Sequence, residues 1–579
     1  MSSTNDFLRD NSLPLAEKHG WVREDERGYS ILERPHGTLR PFRIIHVGAG
    51  ASGIIFSKFM ENYSKNISLQ IYEKNPDIGG TWLENRYPGC ACDIPSACYQ
   101  FSWARTPNWS HYYSSSQEIW SYFNDVVENN GLRKYMKLSH TVVGANWNEE
   151  EGLWHVKIRT PEGTEIEDTC NILVNGGGVL NNWKWPDIEG LHSFKGLLQH
   201  SAHYDESIDL TGKRVAVIGI GSSGVQLISS IAPTVEKLYT WIRSPTWITA
   251  GFAQKFAGPN GGNFEYTEEQ KKAFRDDPES YLRYSKMIES ELNQRFKFIL
   301  NGTPEAEGAK EFAINEMKTK LGGDKELCEA MIPKDFGIGC RRPTPGNGFL
   351  EALNLDNVHA FTKQLQRITP AGFVDADGVE HEVDAILCAT GFDTSWIPRF
   401  PIVAGNYNVQ DLFAKSTSSW ISIGVPHIPN YYMQGGPYGP LGHGSTLAIF
   451  EATSRLVLQI AEKMQTENIK SVTPKIEVCE EFAEHAKLFL NRTAWTGPCS
   501  SWFKQGKIDG PLAMFPGSRL SFLALLEKPR LEDCDLKYFN RLNRYEFLGN
   551  GFHTREFDGR DLSHYLGLLG GKDVQPDLS

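Results

Sequence analysis

Two short glycine runs in this chain are spaced to hold phosphate. Gly48-Ala49-Gly50-Ala51-Ser52-Gly53 follows the apolar run Arg43–Val47, and Gly219-Ile220-Gly221-Ser222-Ser223-Gly224 follows Arg214–Ile218. An apolar helical pattern continues beyond each run, through Ile54, Ile55, Phe59 and Met60 in the first and from Val225 to Ile231 in the second. Strand, glycine turn and helix in that order bring backbone N–H groups close to a pyrophosphate at the helix N-terminus. The residues that close the next strand differ between the two. Ser68–Glu73 ends in a carboxylate, Glu73, able to accept both ribose hydroxyls of an adenosine. Lys237–Ile242 leads instead into Arg243-Ser244, a guanidinium and a hydroxyl that suit a 2′-phosphate, which a carboxylate would repel. Two sites with different ribose chemistry imply that one nucleotide reduces the other. FAD in the first and NADPH in the second is the economical assignment.

The elements that must position these turns are those of an α/β chain. Its 579 residues allow roughly three or four structural units. The expected fold is two Rossmann-like dinucleotide-binding domains, for FAD and NADP, with a helical insertion. The expected order is an irregular N-terminal extension over 1–40, then the first part of the FAD-binding domain over 41–190. The NADP-binding domain begins over 191–250, is interrupted by the helical insertion at 251–334 and resumes over 335–384. The FAD-binding domain and C-terminal region take 385–579. Within the insertion, Asp276-Asp277-Pro278 breaks a helix, and Phe274, Tyr281, Tyr284, Phe296 and Phe298 read as core.

Composition narrows the partners. Hydrophobic residues make 40% of the chain and charged residues 22%, which is enough apolar material for large cores. A net charge of −12 argues against a nucleic-acid partner, since phosphate contacts need a basic face. No apolar run reaches the length of a membrane span, and the polar N-terminus lacks the pattern of a secretory signal, so a cytoplasmic location is expected. The ten cysteines are scattered: Cys90, Cys92 and Cys98 fit no zinc spacing, and no CxxC pair occurs. Reduced thiols and no metal site are the expectation, and a disulfide reductase is excluded by the missing redox pair.

Further segments resemble the Baeyer–Villiger flavoprotein monooxygenases. That family's fingerprint is FxGxxxHxxxW followed by Pro or Asp. Here Phe194, Gly196, His200 and Asp205 match, with Tyr204 in place of the tryptophan. Gly79-Gly80-Thr81-Trp82, then Tyr87-Pro88-Gly89 and Asp93, resemble its second pattern, GGxWxxxxYPGxxxD, in full. Cys340-Arg341-Arg342-Pro343 resembles the segment with its active-site arginine, and Ala389-Thr390-Gly391-Phe392-Asp393 its ATGFD element. The likeness covers about Pro41 to Gly510. It implies that Glu73, Thr81, Trp82, Leu83, Asn85, Asp93, Ile94 and Tyr99 contact FAD, and that Arg243, Ser244 and Arg341 read the NADP 2′-phosphate. It also implies that Arg342 stands over the flavin, oriented by Asp93, and that Trp502 covers the nicotinamide cofactor.

The function so implied is an NADPH-dependent flavin monooxygenase that inserts one atom of O2 beside a ketone carbonyl, through a peroxyflavin, to give an ester or lactone. Tyr204 keeps an alternative open, because the flavin enzymes that oxygenate amines or sulfides carry Tyr or Phe at that place. His200 reads as a structural residue on the connector. His443 and Ser445 precede an apolar helix expected over Thr446–Met464, whose N-terminus would face the flavin. The C-terminal Gly570–Ser579 reads as frayed.

Overall fold

The computed structural model describes residues 20–567 apart from Arg23, Asn347 and His443. Two five-stranded parallel sheets carry the glycine turns. In the first, the strands run in the order Tyr431–Met433, Ile172–Asn175, Phe42–Val47, Ile67–Tyr72, Met136–Lys137. In the second, the order is Val358–Phe361, Lys237–Trp241, Arg214–Ile218, Ala385–Cys388, Leu197–His200. Parallel sheets covered on both faces need continuous apolar strands, and Ile172, Leu173 and Val174 are all fully buried. This is the α/β architecture expected from the sequence.

The boundary drawn at 384/385 needs correction. Ala385–Cys388 pairs in parallel with Arg214–Ile218 on one side and Leu197–His200 on the other, so it belongs to the second sheet. An apolar run identifies a buried strand, but it does not say which sheet takes it. The chain returns to the first sheet later, at Tyr431–Met433.

A third, mixed sheet joins Thr141–Asn148, Leu153–Arg159 and Glu165–Cys170 to the later strands Ile402–Ala404 and Tyr407–Asn408. Between the strands of the second sheet lie the helices Glu268–Asp276, Pro278–Gln294, Pro304–Lys320 and Lys325–Met331. Asp277 makes the break between the first two: its carboxylate accepts the Ser280 N–H at 2.9 Å and caps the second helix. Tyr281 is buried there, and the rings of Phe274 and Tyr284 stack at 5.3 Å.

The described part of the N-terminal extension is irregular but docked. His36 donates its N–H to the Phe552 carbonyl at 2.7 Å, and the Arg40 guanidinium reaches the Ile469 carbonyl at 3.0 Å. Residues 1–19, His443 and the tail from 568 lie outside the described residues.

Candidate active site

Both glycine turns end in helices whose first N–H groups take no side-chain cap. Gly50 and Gly221 occupy the N-cap positions of Ala51–Tyr63 and Ser222–Ile231. Side chains cap the helices Ser116–Asn129, Glu268–Asp276 and Pro278–Gln294, so the bare N-termini are local choices. They leave backbone donors and the positive helix end open to an anion. Close packing explains the outer glycines. A Cβ on Gly53 would sit 2.4 Å from the Gly48 carbonyl oxygen, and one on Gly224 would sit 1.9 Å from that of Gly219. Gly50 lies against the backbone of Gly80, which has φ +54°.

Glu73 directly follows the strand Ile67–Tyr72 and is 4% exposed, with its carboxylate accepting N–H bonds from Ala49 at 2.7 Å and Asn75 at 2.8 Å. Burial pushes its carboxyl upward, against the pull of those two N–H groups. The short helix Thr81–Glu84 follows the Gly79-Gly80 turn. Thr81 is exposed, Leu83 half-buried, and Asn85 turns its amide onto the Thr81 carbonyl. Trp82 donates its indole N–H to the Tyr99 hydroxyl at 3.0 Å, and Ile94 is buried in the main core. Burial, then Cys92, holds the Tyr99 phenol far above its usual range, so it remains a neutral donor. An uncapped helix end, a buried carboxylate and this aromatic pair fit a flavin adenine dinucleotide.

Arg342 and Asp93 meet across 249 residues in a two-pronged ion pair, one prong of which measures 2.8 Å. Their side chains are 23% and 17% exposed, so the pair is neither sealed nor freely solvated. Burial opposes the charge of Arg342, but the adjacent carboxylate outweighs it and raises the guanidinium pKa. The Arg342 guanidinium also lies 5.2 Å from the centre of the Phe252 ring.

Next door is a cationic cluster. Arg341 donates to the hydroxyls of Ser244 at 3.1 Å and Ser500 at 3.2 Å, while its Nε has no partner. Burial, then the charge of Arg243, holds its pKa below the ordinary arginine value. Neither Arg243 nor Arg341 forms an ion pair among the described residues. The buried Lys504 adds a third cation nearby; burial, with Arg341, lowers its ammonium pKa against the pull of Asp509, and it donates to the Gly497 carbonyl at 2.6 Å. Unpaired cations that repel one another are matched to a ligand carrying at least two negative charges. Arg243, Ser244 and Arg341 were legible in sequence; Ser500 and Lys504 were not. Ser222 and Ser223 stand at the start of the second helix, where the Ser222 hydroxyl lies 3.3 Å from that of Thr344.

Cys340 and Cys499 are joined in a disulfide, which corrects the expectation that all thiols are reduced. The bond ties the residue before Arg341 to the residue before Ser500. Trp502 is half-buried two residues on, with its ring 4.3 Å from that of Phe503.

Among the described residues the fingerprint side chains form no hydrogen bond or ion pair with Arg342. His200 is 1% exposed; its Nδ1 accepts the Ala202 N–H at 3.1 Å, so its Nε2 carries the proton and donates to Thr390 at 3.2 Å. Trp183 stacks on it at 4.5 Å. Gly196 is required because a Cβ there would approach the Asp384 carbonyl to 2.7 Å. Tyr204 lines a cavity of about 370 Å³ with Lys74, Arg86, His203 and Arg399, and its hydroxyl has no partner. No helix among the described residues is long and apolar enough to cross a membrane.

Residues 42–316 match the family model described as flavin-binding monooxygenase-like. An FAD-binding monooxygenase of Aspergillus terreus is 39% identical over 542 residues, which span 92% of this chain and 96% of that protein. An FAD-binding monooxygenase of Dothistroma septosporum is 35% identical over 95% of this chain and 88% of its own length. Among solved structures, cyclohexanone monooxygenase from Rhodococcus sp. Phi1 bound to NADP+ superposes with a TM-score of 0.74 at 26% identity, covering 86% of this chain and 100% of that one. Near-full-length relatives at this identity, together with the paired glycine turns and their uncapped helices, show that the chain belongs to the FAD-binding monooxygenases.

Proposed function

We propose that this monooxygenase is of the Baeyer–Villiger type: ketone, O2, NADPH and a proton give an ester or lactone, NADP+ and water. The observation that carries the reading is Arg342, a charged guanidinium held by Asp93 and set against Phe252. When bound, FAD supplies the redox chemistry, taking hydride from NADPH and activating oxygen. The chain supplies the electrostatics. Arg342 presents a fixed positive charge to oxygen anions as they develop, a role worth on the order of 10²–10³ in rate for a single donor. Asp93 fixes the direction of the guanidinium and tempers its charge. Arg243, Ser244, Arg341 and Lys504 hold the nucleotide phosphate, keeping the oxidised nucleotide in place while carbon migrates. No side chain has to become a covalent nucleophile.

Tyr204 prompted the alternative of amine or sulfide oxygenation. It stands with Lys74 and Arg86 beside the segment that follows Glu73, which supports a position on the adenosine side of the proposed FAD site. Mass analysis of products from purified enzyme, NADPH, O2 and a mixed panel of ketones, sulfides and tertiary amines tests the proposal. Esters or lactones are expected. N-oxides or sulfoxides with untouched ketones would transfer the assignment to the other class. Arg342→Ala should keep FAD bound and lose ester formation by about 10²–10³, with NADPH oxidation continuing to hydrogen peroxide. Near-normal ester yield would remove the role given to Arg342.

A further inference from the structure

Arg519, the first residue of the helix Arg519–Leu525, is 1% exposed. A charge taken that far out of water has to be matched by fixed partners. Those partners come from two other parts of the chain. Glu289, on the insertion helix Pro278–Gln294, is paired with Nη2. Asn293, one turn on, accepts from Nη2 at 2.9 Å and from Nε at 3.2 Å. Nη1 donates to the Ser445 carbonyl at 3.0 Å. Gly444, at φ +75°, makes room for this contact, since a Cβ there would sit 2.4 Å from Nη1.

Both partner segments lead to Tyr99. Burial raises the Tyr99 phenol, and the hydroxyl of Thr446, the residue after Ser445, is among the groups that pull against it. From the other side, Cys98 donates its thiol to the Ser285 carbonyl at 3.5 Å, one turn before Glu289 on the same helix. Burial, then Glu289, raises that thiol. The carboxylate that holds Arg519 therefore also faces the residue before Tyr99. Tyr99 in turn accepts the indole N–H of Trp82 at 3.0 Å. The helix that follows Ser445 and Thr446, Leu447–Thr466, packs along Ala51–Tyr63, the helix of the first glycine turn.

We propose that Arg519 is a positioning residue for the flavin: by gripping Glu289, Asn293 and the Ser445 carbonyl at once, it holds the two segments that fix Tyr99 and, through it, Trp82. This rests on the reading of Trp82 and Tyr99 as FAD contacts and deepens it. A guanidinium suits the task because its rigid fork meets several acceptors in fixed directions, which an ammonium on a flexible stem does not. A loosely held flavin can still take hydride from NADPH. NADPH, a proton and O2 then give NADP+ and hydrogen peroxide, and the substrate goes unoxygenated. Direction and charge balance are separable here. Removing both Arg519 and Glu289 relieves the unpaired charge but leaves Ser445 and Cys98 unheld.

The test compares Arg519→Met, the double variant Arg519→Met/Glu289→Met and Tyr99→Phe, each purified with FAD and assayed with the best substrate of the mixed panel. Arg519→Met leaves Glu289 unpaired and should lose thermal stability, and the double variant should recover most of it. In the double variant the share of oxidised NADPH that ends as hydrogen peroxide should still rise by about tenfold. Its flavin absorption bands should shift, while the KM for NADPH stays within about twofold of native. Amide exchange should quicken in the peptides around Tyr99 and Ser445. Arg519→Lys keeps the charge opposite Glu289 but not the fork, and should show the same rise in peroxide if the double variant does not fold. Native coupling, bands and exchange without the guanidinium would overturn the assignment and leave Arg519 a structural ion pair. Tyr99→Phe judges the underlying reading separately. If it leaves flavin bands and coupling unmoved, Tyr99 leaves the FAD site and the flavin role of Arg519 goes with it. If it moves them while the double variant does not, the FAD reading stands and the role of Arg519 is rejected.

Discussion

Tyr87 donates its hydroxyl to the side-chain oxygen of Gln226 at 2.7 Å, and the Gln226 amide donates in return to the Ala91 carbonyl at 2.9 Å. Gln226 belongs to the helix that follows the second glycine turn, whereas Tyr87 follows the first. The Tyr87-Pro88-Gly89 motif is therefore a clasp between the two nucleotide-binding units. Gly89 completes it, with φ +80° and a hypothetical Cβ only 2.6 Å from the Gln226 carbonyl. Hydride transfer between two nucleotides needs the units in register, and this contact is one place where register is set.

Tyr87→Phe removes the hydroxyl and leaves the Gln226 oxygen unmet. The expected cost is about 1–2 kcal/mol of stability, with FAD still bound. Gly89→Ala should be worse, because both the left-handed backbone and the close approach forbid a methyl group. Thermal unfolding with flavin content as the second readout ranks the two. If Gly89→Ala proved the milder, the clasp would not be a close-packed contact.

The unpaired cations around Arg341 lead to a nucleotide prediction. Arg243→Asp should raise the KM for NADPH by about 10–100-fold, because it reverses a charge beside the proposed 2′-phosphate position. NADH lacks that phosphate and should be affected within about threefold. Lys504→Met should act in the same direction with a smaller effect. Initial rates with both nucleotides supply the comparison, and an equal loss with NADH would detach these residues from the 2′-phosphate.

How much of this was legible beforehand depends on the range over which a residue acts. The glycine turns, Glu73 and Arg243 are read from neighbours a few residues away, because strand, turn and helix are local patterns. The Asp277 break was legible for the same reason. Arg342 and Asp93 are far apart in sequence, and only the resemblance of their two motifs to one family linked them. Phe252 and Lys504 carried no signal. A lone aromatic or a lone lysine looks alike on a surface and beside a reaction centre. The same reason explains the misplaced boundary at 385, since strand order is a long-range property. Cys340 and Cys499, 159 residues apart, lacked any spacing that announces a bond.

Two buried histidines should make the fold sensitive to acid. His46 donates Nδ1–H to the Gly48 carbonyl at 3.0 Å, while its Nε2 has no partner. Burial holds its pKa at about 4. Burial, helped by His203, also holds His200 at about 4. Both are neutral when folded and titrate near 6.5 when unfolded. The unfolded chain therefore binds more protons between about pH 6.5 and 4, and stability rises with pH across that window. Each histidine contributes up to about a tenfold change in the folding equilibrium per pH unit inside it. Thermal midpoints from pH 4.5 to 7.5 should fall on acidification, and His200→Asn, which keeps hydrogen-bonding capacity, should flatten the slope. An unchanged slope in that variant would assign the acid sensitivity to other groups.

The Cys340–Cys499 bond fastens the loop bearing Ser500, Trp502 and Lys504 to the segment bearing Arg341 and Arg342. Both cysteines are buried, so the link is protected once formed. Alkylation in denaturant without reductant should label eight of the ten cysteines, and prior reduction should expose all ten. Cys499→Ser frees the loop, so Ser500 and Lys504 must be ordered again each time the nucleotide binds. The KM for NADPH should then rise by about tenfold, which corresponds to about 1.4 kcal/mol. Flavin content should not change, because the Glu73 and Trp82 side of the structure makes no use of the bond. Labelling of ten thiols without reductant would show that the cysteines are merely neighbours. A disulfide present with an unaltered KM in Cys499→Ser would show that Arg341 holds the loop through Ser500 alone.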